Sequence, residues 1–315
     1  MKVTATLVSK GLLAWILLSI TIVTTAQSSY NSEENVQQSH KTFSQTYPLG
    51  KERVLLENRY GHLVIKTWDR TEVKVTAEIL VGSDDKAYAD TVLNRINIIE
   101  KKDAENISFK TYIGNTGYNN YHNQSIKVDY EVYLPATAKL YAENNFGPID
   151  IGDYKGELEL YCKYGTLTAG KLDKAQYITV EYGKTFIESL ANTELVARYS
   201  RLDIKKMTGS FTAKLDYCST VDLDIDSSLT ALNIKSNYTS VNLGLSKDFT
   251  ADYDIVISNG RLSNHSMIDI PEERSSSDFS YSNYYSATHR YTGSIGKGGN
   301  THITVRANFG NIRFL

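Results

Sequence analysis

The sequence predicts an all-β protein built as a parallel β-solenoid (β-helix-like), with rungs of about 18 to 21 residues and a less regular, β-rich N-terminal cap containing one short helix. Three observations predict it. The composition, with 23 Tyr and 20 Gly against 4 Pro, 3 Met and 2 Trp, favours strands over helices. An aromatic residue recurs at Phe146, Tyr164, Tyr182, Tyr199, Tyr217 and Tyr238, spaced 18, 18, 17, 18 and 21 residues apart. Around each aromatic, apolar and polar residues alternate with the period of two that marks a strand with one buried face.

The chain opens with an address. Lys2 and Lys10 precede the apolar run Gly11 to Val23, and Thr24-Thr25-Ala26 leads into the polar Gln27, the order of a secretory signal. Residues 1–26 are therefore expected to be removed, because a run of 13 apolar residues is shorter than the ~20 that a spanning helix needs. No cysteine lies near the cut, which argues against a lipoprotein signal. Losing two of 34 basic residues leaves 32 against 36 acidic ones, near −4, so the mature chain has no basic footprint for nucleic acid. No later stretch reads as a membrane helix. Residues 27–48 read as a flexible leader, and 49–315 as one domain.

Within that domain, residues 49–140 form the cap. A first weak copy of the repeat stands at Tyr60-Gly61-His62-Leu63-Val64-Ile65. Glu72 to Val81 reads as a strand, Asp84 to Arg95 as a short helix capped by Ser83 or Asp84, and Ile126 to Leu134 as a cleanly alternating strand before Pro135. Such a segment would cover the open end of the stack. Gly114 to Ser125, rich in Asn, Gly and Tyr, reads as an exposed loop.

Residues 141–270 carry the regular repeats. Aligned on the aromatic, the position four residues earlier holds Ala142, Leu160, Ile178, Leu195, Ala213 and Ile234. The position two earlier holds Asn144, Cys162, Val180, Ala197, Leu215 and Ser236. These mostly apolar columns point inward, each large side chain contributing about 1.5–3 kcal/mol on full burial. The column immediately before the aromatic is polar throughout, and Lys163, Glu181, Arg198 and Asp216 alternate in sign, as in-register parallel stacking requires. At Tyr217 the apolar positions slip by one, which reads as a bulge. Ser200, Cys218 and Thr239 stand where other copies have Gly, implying a turn there without positive φ. Cys162 and Cys218 fall three rungs apart, about 14 Å at strand spacing, too far for a disulfide.

Residues 271–292, with six Ser and four Tyr, read as a flexible insertion, and 293–315 as closing strands. The closing segment carries a last weak copy, Phe309-Gly310-Asn311-Ile312-Arg313-Phe314, and Asn259-Gly260-Arg261-Leu262 is another.

The export signal, the opening Asn58-Arg59-Tyr60-Gly61-His62-Leu63-Val64-Ile65-Lys66-Thr67-Trp68-Asp69, and Leu134-Pro135 leading to Asn144-Asn145-Phe146-Gly147-Pro148-Ile149-Asp150-Ile151 together resemble the bacterial putative adhesin domains of unknown function, from about Val54 to the C-terminus. The resemblance implies an envelope protein with a repetitive β-helical fold. It implies no catalytic residues and no ligand.

Candidate chemistry is sparse. Asp222, Asp224 and Asp226 alternate along one strand, and Asp203 is expected one rung below Asp222. Stacked carboxylates of this kind could hold Ca²⁺ or act on a polysaccharide; a solvated face is the plain alternative. The aromatic column reads as an internal or corner ladder with rings in offset contact, or else as a platform for sugars. The His residues show no zinc spacing, and there is no phosphate-binding, nucleophile-elbow or dinucleotide motif. The expectation is a non-enzymatic protein without cofactor, periplasmic or at the cell surface, offering a structural or adhesin-like surface to an envelope protein or a glycan. The alternative is a polysaccharide-active enzyme, or a carbohydrate- or Ca²⁺-binding module, on the acidic face.

Overall fold

The computed structural model describes residues 36–115, 124–246, 248–266, 268–273, 288–299 and 301–315. Residues 1–26, expected to be a signal, most of the loop from Gly114 to Ser125 and most of the stretch 271–292, expected to be an insertion, lie outside the described residues. The N-terminal part comprises β1 (Gln37–Pro48), β2 (Arg53–Arg59), β3 (Leu63–Trp68), β4 (Glu72–Ser83), α1 (Lys86–Asn94), β5 (Ile96–Lys102), β6 (Asn106–Ile113) and β7 (Gln124–Pro135). The repeats comprise β8 (Lys139–Asn145), β9 (Ile149–Ile151), β10 (Leu158–Lys163), β11 (Thr166–Leu172), β12 (Ala175–Glu181), β13 (Lys184–Arg198), β14 (Arg201–Asp216), β15 (Thr220–Asn237), β16 (Val241–Leu245), β17 (Ala251–Ser258) and β18 (Leu262–Asn264). The chain closes with β19 (Thr288–Ile295), β20 (His302–Asn308) and β21 (Ile312–Phe314).

Among the described residues the fold is thus nearly all β with one helix, and the strands join into a single mixed sheet. Two parallel ladders run through the repeats. In one, β2, β8, β10, β12 and the C-terminal halves of β13, β14 and β15 pair in succession. In the other, β3, β9, β11 and the N-terminal halves of β13, β14 and β15 do the same, continuing to β16. The long strands β13, β14 and β15 therefore belong to both ladders, with shifts of register midway.

Pairing is not parallel throughout. Antiparallel pairs lie at the flanks: β1 with β4, β4 with β7, β5 with β6, and β17 with β19. Two sequence expectations change here. Residues 37–48, read as leader, form β1 along the whole of β4, and Phe43 and Tyr47 contact the ring of buried Phe109. Residues 288–292, assigned to the insertion, begin β19. In both places a polar stretch becomes a strand because a neighbouring strand offers an unpaired edge. The helix starts after Asp85, one residue beyond Asp84 and two beyond Ser83, the expected caps, with its carboxylate accepting from the N–H groups of Ala87 and Tyr88.

The two inward columns are in register as aligned. Ala142, Leu160, Ile178, Leu195, Ala213 and Ile234 are neighbours on consecutive strands, and so are Asn144, Cys162, Val180, Ala197, Leu215 and Ser236. All twelve are buried. Both thiols are free and buried, and burial pushes Cys162 up to about 12.

Chain order and stacking order differ at the C-terminus. β20 inserts between β15 and β17, pairing parallel with both, and β21 lies between β16 and β18 in the same way. The last copy of the repeat thus sits before the copy at Asn259, not after it. β17 then presents its other edge to β19.

Candidate functional site

The functional candidate is built on the turn that joins the two ladders. At each turn the aromatic residue itself adopts the left-handed conformation, with φ of +64° at Tyr60 and Phe146 and between +49° and +56° at Tyr164, Tyr182, Tyr199, Tyr217, Tyr238 and Phe309. Asn259 holds the equivalent place with φ +55°. This corrects the turn expectation: positive φ belongs to the residue before the small one, an aromatic in every copy but the one at Asn259, and the small residue serves another need. A Cβ added to Gly165 would sit 2.0 Å from the carbonyl oxygen of Gly147, so glycine there permits close approach of stacked turns. Where the residue is Ser200, its hydroxyl instead accepts from the Gly183 N–H at 3.2 Å and donates to the Arg198 carbonyl at 2.7 Å. The slip at Tyr217 also belongs to the turn. Tyr199 stacks on Tyr217, while Arg201 pairs with Thr220, so the extra residue lies between Tyr217 and Thr220 and not within a strand.

The left-handed conformation costs a non-glycine residue about 1–2 kcal/mol. What offsets it is on the outside. Tyr60, Phe146, Tyr164, Tyr182, Tyr199, Tyr217, Tyr238 and Phe309 form one unbroken column of eight rings. Neighbouring centroids are 4.7–5.1 Å apart and planes lie within 4–13° of parallel. Each contact is worth about 0.5–1.5 kcal/mol. The column is a corner ladder and not an internal one, since every ring remains 38–50% exposed. Because each inner ring has a neighbour on both faces, the exposed parts are ring edges and phenol hydroxyls. A sugar that stacks its C–H face on a ring face finds those faces taken.

Polar columns flank the rings. On one side Lys163, Glu181, Arg198 and Asp216 lie in register. Glu181 pairs with Lys163 at 3.2 Å and with Arg198 at 2.7 Å, and Asp216 accepts from Asn237 at 2.8 Å. Burial pushes the Glu181 carboxyl up, but its two cationic partners outweigh burial and hold it below the usual carboxylate range. On the other side Lys184 and Arg201 are direct neighbours on β13 and β14. They stand two residues after Tyr182 and Tyr199 in consecutive copies, a signal legible in the alignment but missed there.

The acidic candidates are only partly assembled. Asp203 and Asp222 are in-register neighbours, as the sequence suggests, and Asp224 and Asp226 follow along β15. Lys205 sits 2.8 Å from Asp203, and hydrogen bonding to Asp203, with the nearby charges of Asp224 and Asp222, raises its pKa. Asp222 accepts from Asn242 at 2.6 Å. Asp226 pairs with Lys206 at 2.9 Å, and its bonds from Ser228, together with Lys206, hold its carboxyl down at about 2. The Asp224 carboxylate lies over Gly244, where a Cβ would come within 2.3 Å of its Oδ1. Among the described residues, no three His, Cys, Asp or Glu side chains gather where they could hold a metal ion. No described helix is long and apolar enough to cross a membrane.

No family model matches the sequence, and no curated relative matches it. Among solved structures, the chain is similar to a putative cell adhesion protein from Clostridium sporogenes at 12% identity, covering 88% of this chain and 99% of that one, with a TM-score of 0.20. It is similar to a putative adhesin from Bacteroides fragilis at 9% identity, covering 87% and 97%, with a TM-score of 0.36. It is similar to a putative lipid binding protein from Parabacteroides distasonis at 9% identity, covering 87% and 96%, with a TM-score of 0.32.

Proposed function

We propose that this chain is an exported, non-enzymatic β-solenoid of a bacterial envelope, periplasmic or displayed at the cell surface, which works as an adhesin-like binding surface. The observation that carries the reading is the exposed ladder of eight stacked rings. Backbone strain at bulky, solvent-facing residues persists only where the surrounding structure enforces it, and recurs most often where a surface has work to do. Support for the solenoid comes from parallel, in-register pairing of consecutive repeats, and support for export from the N-terminal signal pattern. A ladder of this kind is rigid and regular, so it presents the same chemistry at fixed intervals to an extended ligand.

A second reading places polysaccharide cleavage, or carbohydrate or Ca²⁺ binding, on Asp203, Asp222, Asp224 and Asp226. It is favoured by the adjacency of Asp203 and Asp222. One experiment separates the two. The purified mature chain is screened against immobilised glycans and envelope proteins, and the same preparation against soluble polysaccharides for reducing-end release. The binding reading expects capture without turnover. Turnover that disappears in Asp222→Ala supports the second reading and removes the first.

A further inference from the structure

Lys184 and Arg201 are the residues whose surroundings the fold leaves incomplete. Both are exposed, and they are direct neighbours across the parallel pairing of β13 and β14. Side chains at such positions lie about 5 Å apart, and like charges there repel. Among the described residues neither makes an ion pair, whereas Lys163, Glu181 and Arg198 on the opposite flank of the ladder alternate in sign and pair with one another. The column continues with hydroxyls: Thr166 is the partner of Lys184, and Thr220 the partner of Arg201.

The rings beside this pair are Tyr182 and Tyr199, stacked at 4.9 Å with 45% and 49% of their surface exposed. An aromatic edge is the positive part of the ring quadrupole, and a phenol hydroxyl is a donor, so both favour oxygen and negative charge. Two cations without an ion pair among the described residues, hydroxyls and ring edges thus occupy adjacent positions at one corner, and Asp203, two residues beyond Arg201, is already paired with Lys205. β13 and β14 have strand neighbours on both sides, so an incoming polypeptide finds no free strand edge to extend. What the corner offers is side-chain contact, which suits a hydroxyl-rich polymer bearing anionic groups.

We infer that the flank of the aromatic ladder at Lys184, Arg201, Tyr182 and Tyr199 is a binding site for an extended anionic glycan, one carboxylate or sulfate group lying between the two cations. The inference rests on the binding-surface reading and names its ligand class. It is tested with the full mature chain by affinity electrophoresis in polygalacturonate, dextran sulfate, neutral dextran and polyglutamate. The variants are the double substitution Lys184→Gln with Arg201→Gln, each of its two single substitutions, and Lys297→Gln as an exposed control that removes the same charge as either single substitution, in the turn before β20. The expected result is retardation by polygalacturonate, dextran sulfate or both, weakened about fivefold to tenfold in the double variant and unchanged in the control. The stronger arm identifies the anionic group. Thermal unfolding without ligand supplies a second readout: removing an unrelieved repulsion leaves the double variant at least as stable as the parent. Equal weakening by Lys297→Gln, a preference for polyglutamate, no retardation by either acidic glycan, or a destabilised double variant overturns the site. Capture of another ligand that the double variant still binds leaves the binding-surface reading standing while removing this one.

Discussion

Tyr182 offers a direct measurement of how the ladder holds the turns. Its ring stacks on Tyr164 at 4.8 Å and on Tyr199 at 4.9 Å, so truncation removes two contacts, about 1–3 kcal/mol together. Its backbone sits at φ +54°, a conformation that costs a residue with a Cβ about 1–2 kcal/mol. Alanine keeps the strain and loses the stacking. Glycine loses the stacking too, but releases the strain, set against roughly 0.5–1 kcal/mol of added unfolded-state entropy. Tyr182→Gly is therefore expected to be more stable than Tyr182→Ala by about 0.5–1 kcal/mol, the reverse of their usual order in strands. Tyr182→Phe should be nearly neutral, since Phe146 and Phe309 already occupy the ladder. Equilibrium unfolding in guanidinium gives the ranking, provided the slope m is shared by all variants. If the alanine variant equals or exceeds the glycine variant, the balance of strain against stacking is mistaken.

Four further outcomes follow from the same geometry. Gly165→Ala should cost about 3 kcal/mol or more, because its Cβ meets backbone at 2.0 Å; a melting temperature within a degree of the parent's removes the close-approach argument. Leu167→Asp places a carboxylate at a fully buried site between Ile149 and Thr185, and should cost more than about 3 kcal/mol, seen as loss of soluble, folded protein. Glu181 has a depressed folded pKa, so its contribution is complete above the ordinary glutamate pKa and is lost as pH falls through the folded value. Glu181→Gln should thus lower stability at pH 7 by about 0.5–1 kcal/mol and make the loss below about pH 4 shallower; parallel pH profiles for the two proteins contradict the pairing. Cys162 and Cys218, buried and with raised pKa values, should resist alkylation in the native protein at pH 8 and both react after unreduced denaturation, as mass spectrometry will show.

Much of the architecture is legible in the sequence alone. Alignment on the aromatics placed residues 17 to 21 positions apart in one column, and the strands pair in that register. The alternating charges of Lys163, Glu181, Arg198 and Asp216 anticipated their neighbours correctly, and Asp203 was placed beside Asp222. The turn was misread because a left-handed backbone is usually inferred from glycine, and here glycine follows the strained residue. The polar strand β1 was read as leader because its pairing with β4 is set by an edge elsewhere in the chain and not by its own hydrophobicity.

By itself the sequence determined the quantities that repeat locally: the strand period, the length of the repeat, the inward and outward columns and the separation of the two thiols. These depend on each residue's distance along the chain from its own aromatic. Only the tertiary structure decided which copies are neighbours at the ends, since β20 slots between β15 and β17 against chain order, and which side of the corner the rings occupy. It also decided that Lys184 and Arg201 are neighbours with no ion pair among the described residues, while Asp203 finds Lys205. The reason is physical: a period fixes what a residue is like, but exposure and charge balance are set by whatever segment the rest of the chain brings alongside it.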